Sequence, residues 1–181
     1  MFYLFMADGT EEVEALATLD VMRRAGIETV TAGVGSAFIT GSHNVTIKCD
    51  IEAKDIIFGS SLEGIILPGG MPGTLNLEKN ANVQKAIKYC DDNLLYLCAI
   101  CAAPSVLGHA GVLQGKKAVC FPGFEDELTG AETPDTYVCT DGNIITGRGM
   151  GCAVLFGLEI VKAVKGREAA EKLKASLQCA I

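Results

Sequence analysis

The chain has 181 residues, of which 49% are hydrophobic and 20% are charged, and its formal net charge is −7. This length and apolar content predict one globular domain over residues 1–181 without a disordered tail. The acidic balance and the lack of a Lys/Arg-rich stripe argue against nucleic acid as a partner, and no apolar run approaches the roughly 18 residues that span a bilayer.

The first half of the chain alternates strand and helix patterns. Residues 2–6 predict a strand, and apolar residues at helical spacing predict a helix over residues 11–24. Thr10 is its predicted N-cap, and Gly26 ends it. Further extended segments are predicted at residues 27–32, at 38–49 as a hairpin, and at 64–67.

The second half continues the alternation around a predicted central strand at residues 94–98. Helices are predicted at 83–89, from about residue 103 to about residue 109, at 152–164 and at 168–176. Short strands are predicted at 117–120, 136–139 and 143–146. Alternating strands and helices predict a mostly parallel sheet with helices on both faces. Ligands bind such sheets outside the carboxyl ends of the strands.

Cys101 stands where the predicted central strand breaks into a helix that begins near Pro104. The small residues after Cys101 let backbone pass close to its sulfur, and proline suits a first helical turn. A side chain at such an elbow points into a cleft, where backbone amides and a helix N-terminus favour a negative charge. We therefore expect an easily formed thiolate that acts as a nucleophile or an oxidation sensor, the alternative being simple core packing.

Two further segments are predicted to reach the same edge of the sheet. Gly69 and Gly70 follow a buried strand and allow backbone amides to face a ligand as an oxyanion hole, unless they only serve a turn. The first helix begins with acids, and a buried Glu there would have a raised pKa and could move a proton or hydrogen-bond the sulfur. Glu14 could equally be a solvated first-turn acid, as we expect for Glu11 and Glu12.

The eight cysteines are expected to be reduced. An even number would predict disulfides in a small secreted chain, but this chain is long and apolar, and the segment 1–6 lacks the basic flank of a signal peptide. We therefore expect a cytoplasmic location. Cys98 forms a C-x-x-C pair with Cys101, but it falls within the predicted strand and should point into the core. No second Cys/His pair lies nearby, so no metal site is expected.

Five motifs occur in the order found in the ThiJ/PfpI superfamily, and together they span nearly the whole chain. The chain resembles most closely the branch of Parkinsonism-linked protein deglycases and their bacterial relatives. The motifs are Ala7-Asp8-Gly9-Thr10-Glu11-Glu12-Val13-Glu14, Val21-Met22-Arg23-Arg24-Ala25-Gly26, Leu67-Pro68-Gly69-Gly70, Ala99-Ile100-Cys101-Ala102 and Gly147-Arg148-Gly149-Met150-Gly151.

The resemblance implies a flavodoxin-like three-layer α/β sandwich, similar to class I glutamine amidotransferases and usually homodimeric. It implies that Cys101 is the elbow cysteine, that Glu14 is its carboxyl partner, and that the amides of Gly70 and Ala102 are oxyanion donors. Reported activities of this branch include cofactor-free glyoxalase, deglycase, oxidative-stress sensing and chaperone-like protection. Arg148 could bind an anionic group near the cleft or form a structural salt bridge.

One position departs from the superfamily pattern. Many members carry a His before a Pro near the cysteine, whereas here Phe121 precedes Pro122. The two histidines are His43 and His109, and His109 is predicted to point away from Cys101. A Cys–His dyad of the protease type is therefore not expected, and a peptidase or amidase is the weakest hypothesis.

Two hypotheses from different classes remain. In the leading one, the chain is an enzyme without cofactor or metal, in which Cys101 adds to a small α-oxoaldehyde and Glu14 moves protons between its first two carbons. In the other, the chain is a non-enzymatic sensor that responds to an oxidant when Cys101 becomes a sulfinate held by Glu14 and the two amides.

Overall fold

The computed structural model describes residues 1–179, which form nine strands and six α-helices. In the first half these are β1 (Phe2–Met6), α1 (Glu12–Arg24), β2 (Thr29–Gly33), β3 (Phe38–Thr40), β4 (Thr46–Lys48), β5 (Ile51–Glu52), β6 (Gly64–Leu67), α2 (Gly73–Lys79) and α3 (Ala81–Asp92). In the second half they are β7 (Tyr96–Ile100), α4 (Pro104–His109), β8 (Val138–Asp141), β9 (Ile144–Gly147), α5 (Ala153–Lys165) and α6 (Arg167–Ser176).

Seven strands form one sheet in the order β5-β2-β1-β6-β7-β9-β8, and β3 pairs with β4 in a separate hairpin. Every pair in the large sheet is parallel except β8 with β9. Parallel sheets are covered on both faces, which explains why β1 is apolar throughout. Its residues Tyr3 and Phe5 pack in one core cluster, and Phe2, Leu4 and Met6 pack in the other. The predicted mostly parallel α/β sandwich is confirmed.

Several predicted boundaries are wrong. Glu11 is the N-cap of α1, because its carboxylate accepts the Glu14 N–H at 2.6 Å, whereas the Thr10 hydroxyl accepts the N–H of Ala7 at 3.0 Å. The predicted strand at residues 117–120 is only an isolated bridge between Lys117 and Glu132. The central strand β7 extends to residue 100, so it ends immediately before Cys101.

The topology brings the predicted site segments to one edge of the sheet. Strands β6 and β7 are parallel neighbours in which Leu67 lies opposite Ala99, so the loop after β6 and the elbow after β7 emerge side by side. Strand β1 pairs with β6 on the other side and leads into α1. Within the described chain, no helix is both long and apolar enough to cross a membrane.

Candidate active site

Cys101 occupies a backbone conformation that few residues other than glycine adopt, with φ at +66°. Hydrogen bonds on both sides of the residue hold it there. Its N–H donates to the Gly147 carbonyl at 2.8 Å, and its carbonyl accepts the Phe121 N–H at 2.7 Å. A strained backbone that its surroundings enforce is common at catalytic sites. The turn leaves Cys101 half-buried instead of enclosed in the core.

Glu14 reaches the site from the first turn of α1, and its side chain is almost completely buried. One oxygen, Oε2, accepts the Gly69 N–H at 2.9 Å, while Oε1 has no hydrogen-bond partner among residues 1–179. Burial raises the pKa of this carboxyl to about 7, against the lowering influence of the Cys101 thiol and the Gly69 amide. Glu14 is therefore poised to gain or lose a proton near neutral pH.

Backbone amides complete the surroundings of the sulfur. The N–H groups of Gly70 and Ala102 lie near the Cys101 sulfur, and both lower the pKa of its thiol. Gly69 runs between the two reactive groups, because a Cβ at this position would lie 2.6 Å from the Cys101 Cβ and 2.8 Å from the Glu14 Oε2. The close approach of thiol and carboxyl therefore requires a glycine at position 69.

The easily formed thiolate that the elbow predicted is not what the structure indicates. Burial raises the pKa of the Cys101 thiol to about 12, as do the charge of the Glu14 carboxylate and its hydrogen bond, and the two amides only partly offset them. The repulsion from Glu14 disappears when that carboxyl is protonated. The thiol and the carboxyl thus share protons as a coupled pair that favours a single negative charge.

Arg148 and Phe121 both line a groove beside the elbow, with a volume of about 780 Å³. The Arg148 Nη1 lies 2.8 Å from the Asp135 Oδ1, so the salt bridge considered for this residue is present. The Asp135 side chain is almost fully exposed, and such a surface pair is weak. The guanidinium therefore remains available to an anion in the groove.

The histidines and Cys98 lie apart from this chemistry. His43 contacts Glu12 through its Nδ1 at 2.9 Å, and His109 bridges Glu78 and Glu127 at 2.5 and 2.7 Å. Among the described residues, the ionisable neighbour of the Cys101 thiol is therefore Glu14, and a Cys–His dyad for a peptidase or amidase is not assembled. Cys98 is fully buried, which raises its pKa well above the ordinary value.

Glu12 was expected to be solvated, but it is buried behind the β3–β4 hairpin. Its two oxygens accept hydrogen bonds from the backbone N–H groups of His43 and Val45 and from the side chains of Ser42 and His43. Burial alone would raise the pKa of Glu12, but these hydrogen bonds lower it to about 2. Glu11, Glu12 and His43 together could approach one metal ion, but the bonded Glu12 oxygens already fasten the hairpin to α1.

The sequence of this chain is similar to those of several known proteins. The profile of the DJ-1/PfpI family matches residues 2–163. The Parkinson disease protein 7 homolog of Danio rerio is 34% identical over 178 residues, which cover 96% of this chain and 94% of that protein. Protein DJ-1 homolog B of Arabidopsis thaliana is also 34% identical over 175 residues, but this chain spans only 40% of its length.

Two further relatives bear on chemistry and fold. A deglycase of Pyrococcus abyssi is 29% identical over 165 residues, covering 90% of this chain and 98% of that protein. The structure of oxidized Toxoplasma gondii DJ-1 matches with a TM-score of 0.91 at 31% identity, covering 99% of this chain and 98% of that one. The flavodoxin-like α/β sandwich that the sequence motifs implied is thus confirmed.

Proposed function

The chain belongs to the DJ-1/PfpI family, and from this premise we propose that it is a cysteine-dependent enzyme of the glyoxalase or deglycase type. Its substrates would be small α-oxoaldehydes such as methylglyoxal, or their adducts, and no cofactor is involved. The observation that carries the proposal is the buried Glu14 carboxyl beside the Cys101 thiol, with two backbone amides facing the sulfur. The deglycase from P. abyssi supports the same class of chemistry.

The first step is addition of the thiol to the aldehyde carbon. As the S–C bond forms, the thiol proton passes to the Glu14 carboxylate, which compensates for the raised pKa of Cys101. The aldehyde oxygen becomes an oxyanion, and the Gly70 and Ala102 amides stabilise it. Glu14 then returns the proton to this oxygen, which leaves a hemithioacetal and a carboxylate again ready to act as a base.

The second step is an internal oxidation and reduction. Glu14 takes the proton from the first carbon and delivers it to the second, and the hydroxyl proton of the hemithioacetal passes from the first oxygen to the second. The aldehyde carbon thereby reaches the oxidation level of an acid, while the ketone becomes an alcohol. The product is a thioester of Cys101. Water attacks this thioester and releases a 2-hydroxy acid with the free thiol, so the overall reaction consumes one water and needs no external oxidant.

The proposal is tested by measuring 2-hydroxy-acid formation from methylglyoxal in the absence of glutathione. We expect multiple turnovers for the wild type and none for Cys101→Ser. Cys139→Ser is the matched control, because Cys139 is another half-buried cysteine but lies on strand β8. A stoichiometric adduct on Cys101 without turnover would contradict the enzyme and leave only a reactive thiol.

A second function, sensing of peroxide, is supported by a specific feature of the same site. The unpartnered Oε1 of a protonated Glu14 would be a hydrogen-bond donor, and with the Gly70 and Ala102 amides it would surround the oxygens of a Cys101 sulfinate. Two peroxide molecules would convert the thiol to the sulfinic acid and release two waters. The related T. gondii protein is described in an oxidized form.

Peroxide titration followed by peptide mass mapping separates this function from incidental oxidation. We expect a two-oxygen adduct on Cys101 at peroxide concentrations that leave Cys139 unmodified. The adduct should stop at one oxygen, or continue to three, in Glu14→Ala, because the proposed donor to the sulfinate is lost. An unchanged adduct in that variant would contradict the role of Glu14.

We also propose that the chain is a homodimer that associates through α1 and the β3–β4 hairpin, and that it is cytoplasmic. The hairpin is fastened to α1 by Glu12, and large apolar side chains on both elements are exposed to solvent, namely Val13, Leu16, Phe38 and Val45. Apolar surface of this kind is typical of subunit contacts. Sedimentation equilibrium should give twice the 19.0 kDa mass of the chain, and Phe38→Glu should shift it towards the monomer. A wild-type monomer at micromolar concentration would contradict the dimer.

A further inference from the structure

The groove beside the elbow is much larger than methylglyoxal requires. Its volume of about 780 Å³ lies within the range of about 300–1,000 Å³ that is usual for small-molecule sites. Three large apolar side chains on its wall are strongly exposed, namely Phe121 at 48%, Tyr137 at 70% and Met150 at 53%. Single exposed apolar residues are common, but three around one concavity indicate a surface that receives an apolar ligand.

Backbone hydrogen bonds join the walls of the groove to the residue that carries the nucleophile. Its first wall begins at Phe121, whose N–H donates to the Cys101 carbonyl at 2.7 Å. Its second wall is the segment 148–152, which follows directly from Gly147, and the Gly147 carbonyl accepts the Cys101 N–H at 2.8 Å. Both walls are therefore anchored to the backbone of the residue that would hold the aldehyde, which places the groove next to the elbow.

The chemistry of the walls indicates what kind of substituent fits. A Cβ on Gly149 would lie 3.3 Å from a carbon of the Phe121 ring, so the absence of a side chain at position 149 lets this ring approach the segment closely. Aromatic rings and a methionine thioether favour contact with another aromatic group. Arg148 is the charged side chain of the lining, and its exposed partner Asp135 can be exchanged for the carboxylate of a product.

We propose that this groove binds the carbon body of the substrate and that Phe121 makes the site select α-oxoaldehydes with an aromatic substituent over methylglyoxal. The inference rests on the proposed function of Cys101 and names the substrate class of that same site. The Phe121 side chain cannot transfer a proton, so its proposed role is to contact the substrate. It acts on specificity by binding the part of the substrate that does not react.

The test compares kcat/KM for phenylglyoxal and for methylglyoxal, with Cys101→Ser as the background for each. We expect the wild type to prefer phenylglyoxal by about tenfold or more, which is the scale of discrimination that an apolar pocket provides. Phe121→Ala should lower this ratio about tenfold, and Met150→Ala should lower it less. Ile57→Ala is the matched control, because Ile57 is exposed but lies beyond β5 at the opposite edge of the sheet, and its ratio should equal that of the wild type. A wild type without preference, or a ratio unchanged in Phe121→Ala, overturns the proposal.

A binding measurement keeps this inference distinct from the proposed catalysis. Phenylglyoxylate and pyruvate are unreactive analogues that differ only in the substituent, and each is tested for protection of Cys101 against alkylation by iodoacetamide. Protection by phenylglyoxylate at concentrations about tenfold lower supports the groove even if no aldehyde is turned over, in which case only the proposed function fails. Equal protection by both analogues overturns the groove assignment. So does a Phe121→Ala variant whose sedimentation coefficient changes while its selectivity does not, because the groove would then be an interface between copies of the chain.

Discussion

Helix α1 carries two buried glutamates, two residues apart, whose pKa values are displaced in opposite directions. Glu12 faces the hairpin, accepts hydrogen bonds from three of its residues, and has a pKa of about 2. Glu14 faces Cys101 and accepts one backbone hydrogen bond, while its other oxygen has no partner within residues 1–179, and its pKa is about 7. Both side chains are buried, so the number of hydrogen-bond donors decides whether the ionised or the protonated carboxyl is more stable.

Helix α1 thus carries one carboxylate with a structural role and one carboxyl that can take part in proton transfer. A fully hydrogen-bonded anion such as Glu12 cannot take up a proton near neutral pH, but it holds two elements together. A buried carboxyl with few hydrogen-bond donors, such as Glu14, is less stable as an anion. It can therefore accept and release a proton. Substitutions at the two positions should therefore have different readouts.

The largest expected effect is the loss of activity in Glu14→Gln. The amide keeps the shape of the side chain but cannot accept and return a proton, so kcat/KM for methylglyoxal should fall about 10²–10⁴-fold. The matched control is Glu12→Gln, in which the same change is made two residues away and away from the thiol. Activity of Glu14→Gln within threefold of the wild type would remove Glu14 from the mechanism.

The next effect is a pH dependence of stability that belongs to Glu14. Its folded-state pKa of about 7 lies above the ordinary value of 4.5, so its contribution is fully present below pH 4.5 and is lost as the pH rises through 7. Between about pH 4.5 and pH 8, the wild type should lose about 3 kcal/mol of unfolding free energy relative to Glu14→Gln. Urea unfolding of both proteins at the two pH values measures this difference. A difference that does not change with pH would mean that folding does not raise the pKa of Glu14.

Glu12→Gln should affect folding rather than catalysis, and by a smaller amount. Replacing the carboxylate weakens hydrogen bonds to a charged acceptor, so the free energy of unfolding should fall by about 1–3 kcal/mol at neutral pH. The sign of the pH dependence is opposite to that of Glu14. Because the folded pKa is lowered, the contribution of Glu12 is present above pH 4.5 and is lost as the pH falls through about 2. Urea midpoints of the variant and the wild type should therefore converge in acid, and a constant separation would contradict the assignment.

The contrast between the two glutamates also marks what the sequence could predict. The parallel sheet follows from the alternating pattern, and the meeting of the Cys101 elbow with Gly69 and Gly70 follows because the carboxyl ends of parallel neighbours share an edge. The cap of α1 is displaced by one residue because Glu11, and not Thr10, accepts the Glu14 N–H, a choice between adjacent candidates that the pattern does not settle. At residues 117–120 the pairing is reduced to one bridge with Glu132, which the local pattern does not record.

Electrostatics was the harder part of the site to predict. The sequence places Glu11, Glu12 and Glu14 in one acidic run, and nothing local distinguishes them. The burial of Glu12 depends on a hairpin about 30 residues away, so its role was missed. The thiol of Cys101 was expected to ionise easily from its place before a helix, but burial and the Glu14 charge outweigh the amides, and neither is visible in the motif.

The smallest effect is expected for His43→Ala, which removes one contact of Glu12 and leaves the backbone donors of the hairpin in place. The His43 side chain is largely exposed, so solvent screens its interaction with the carboxylate. The hydrogen bond and charge of Glu12 raise the pKa of His43, and the contribution of His43 is therefore complete below the ordinary value of 6.5 and lost as the pH rises through the raised value. We expect a urea midpoint below that of the wild type in mildly acidic buffer, by less than in Glu12→Gln, and equal midpoints in alkaline buffer. A loss as large as that of Glu12→Gln would show that the imidazole, and not the backbone of the hairpin, makes Glu12 a fixed anion.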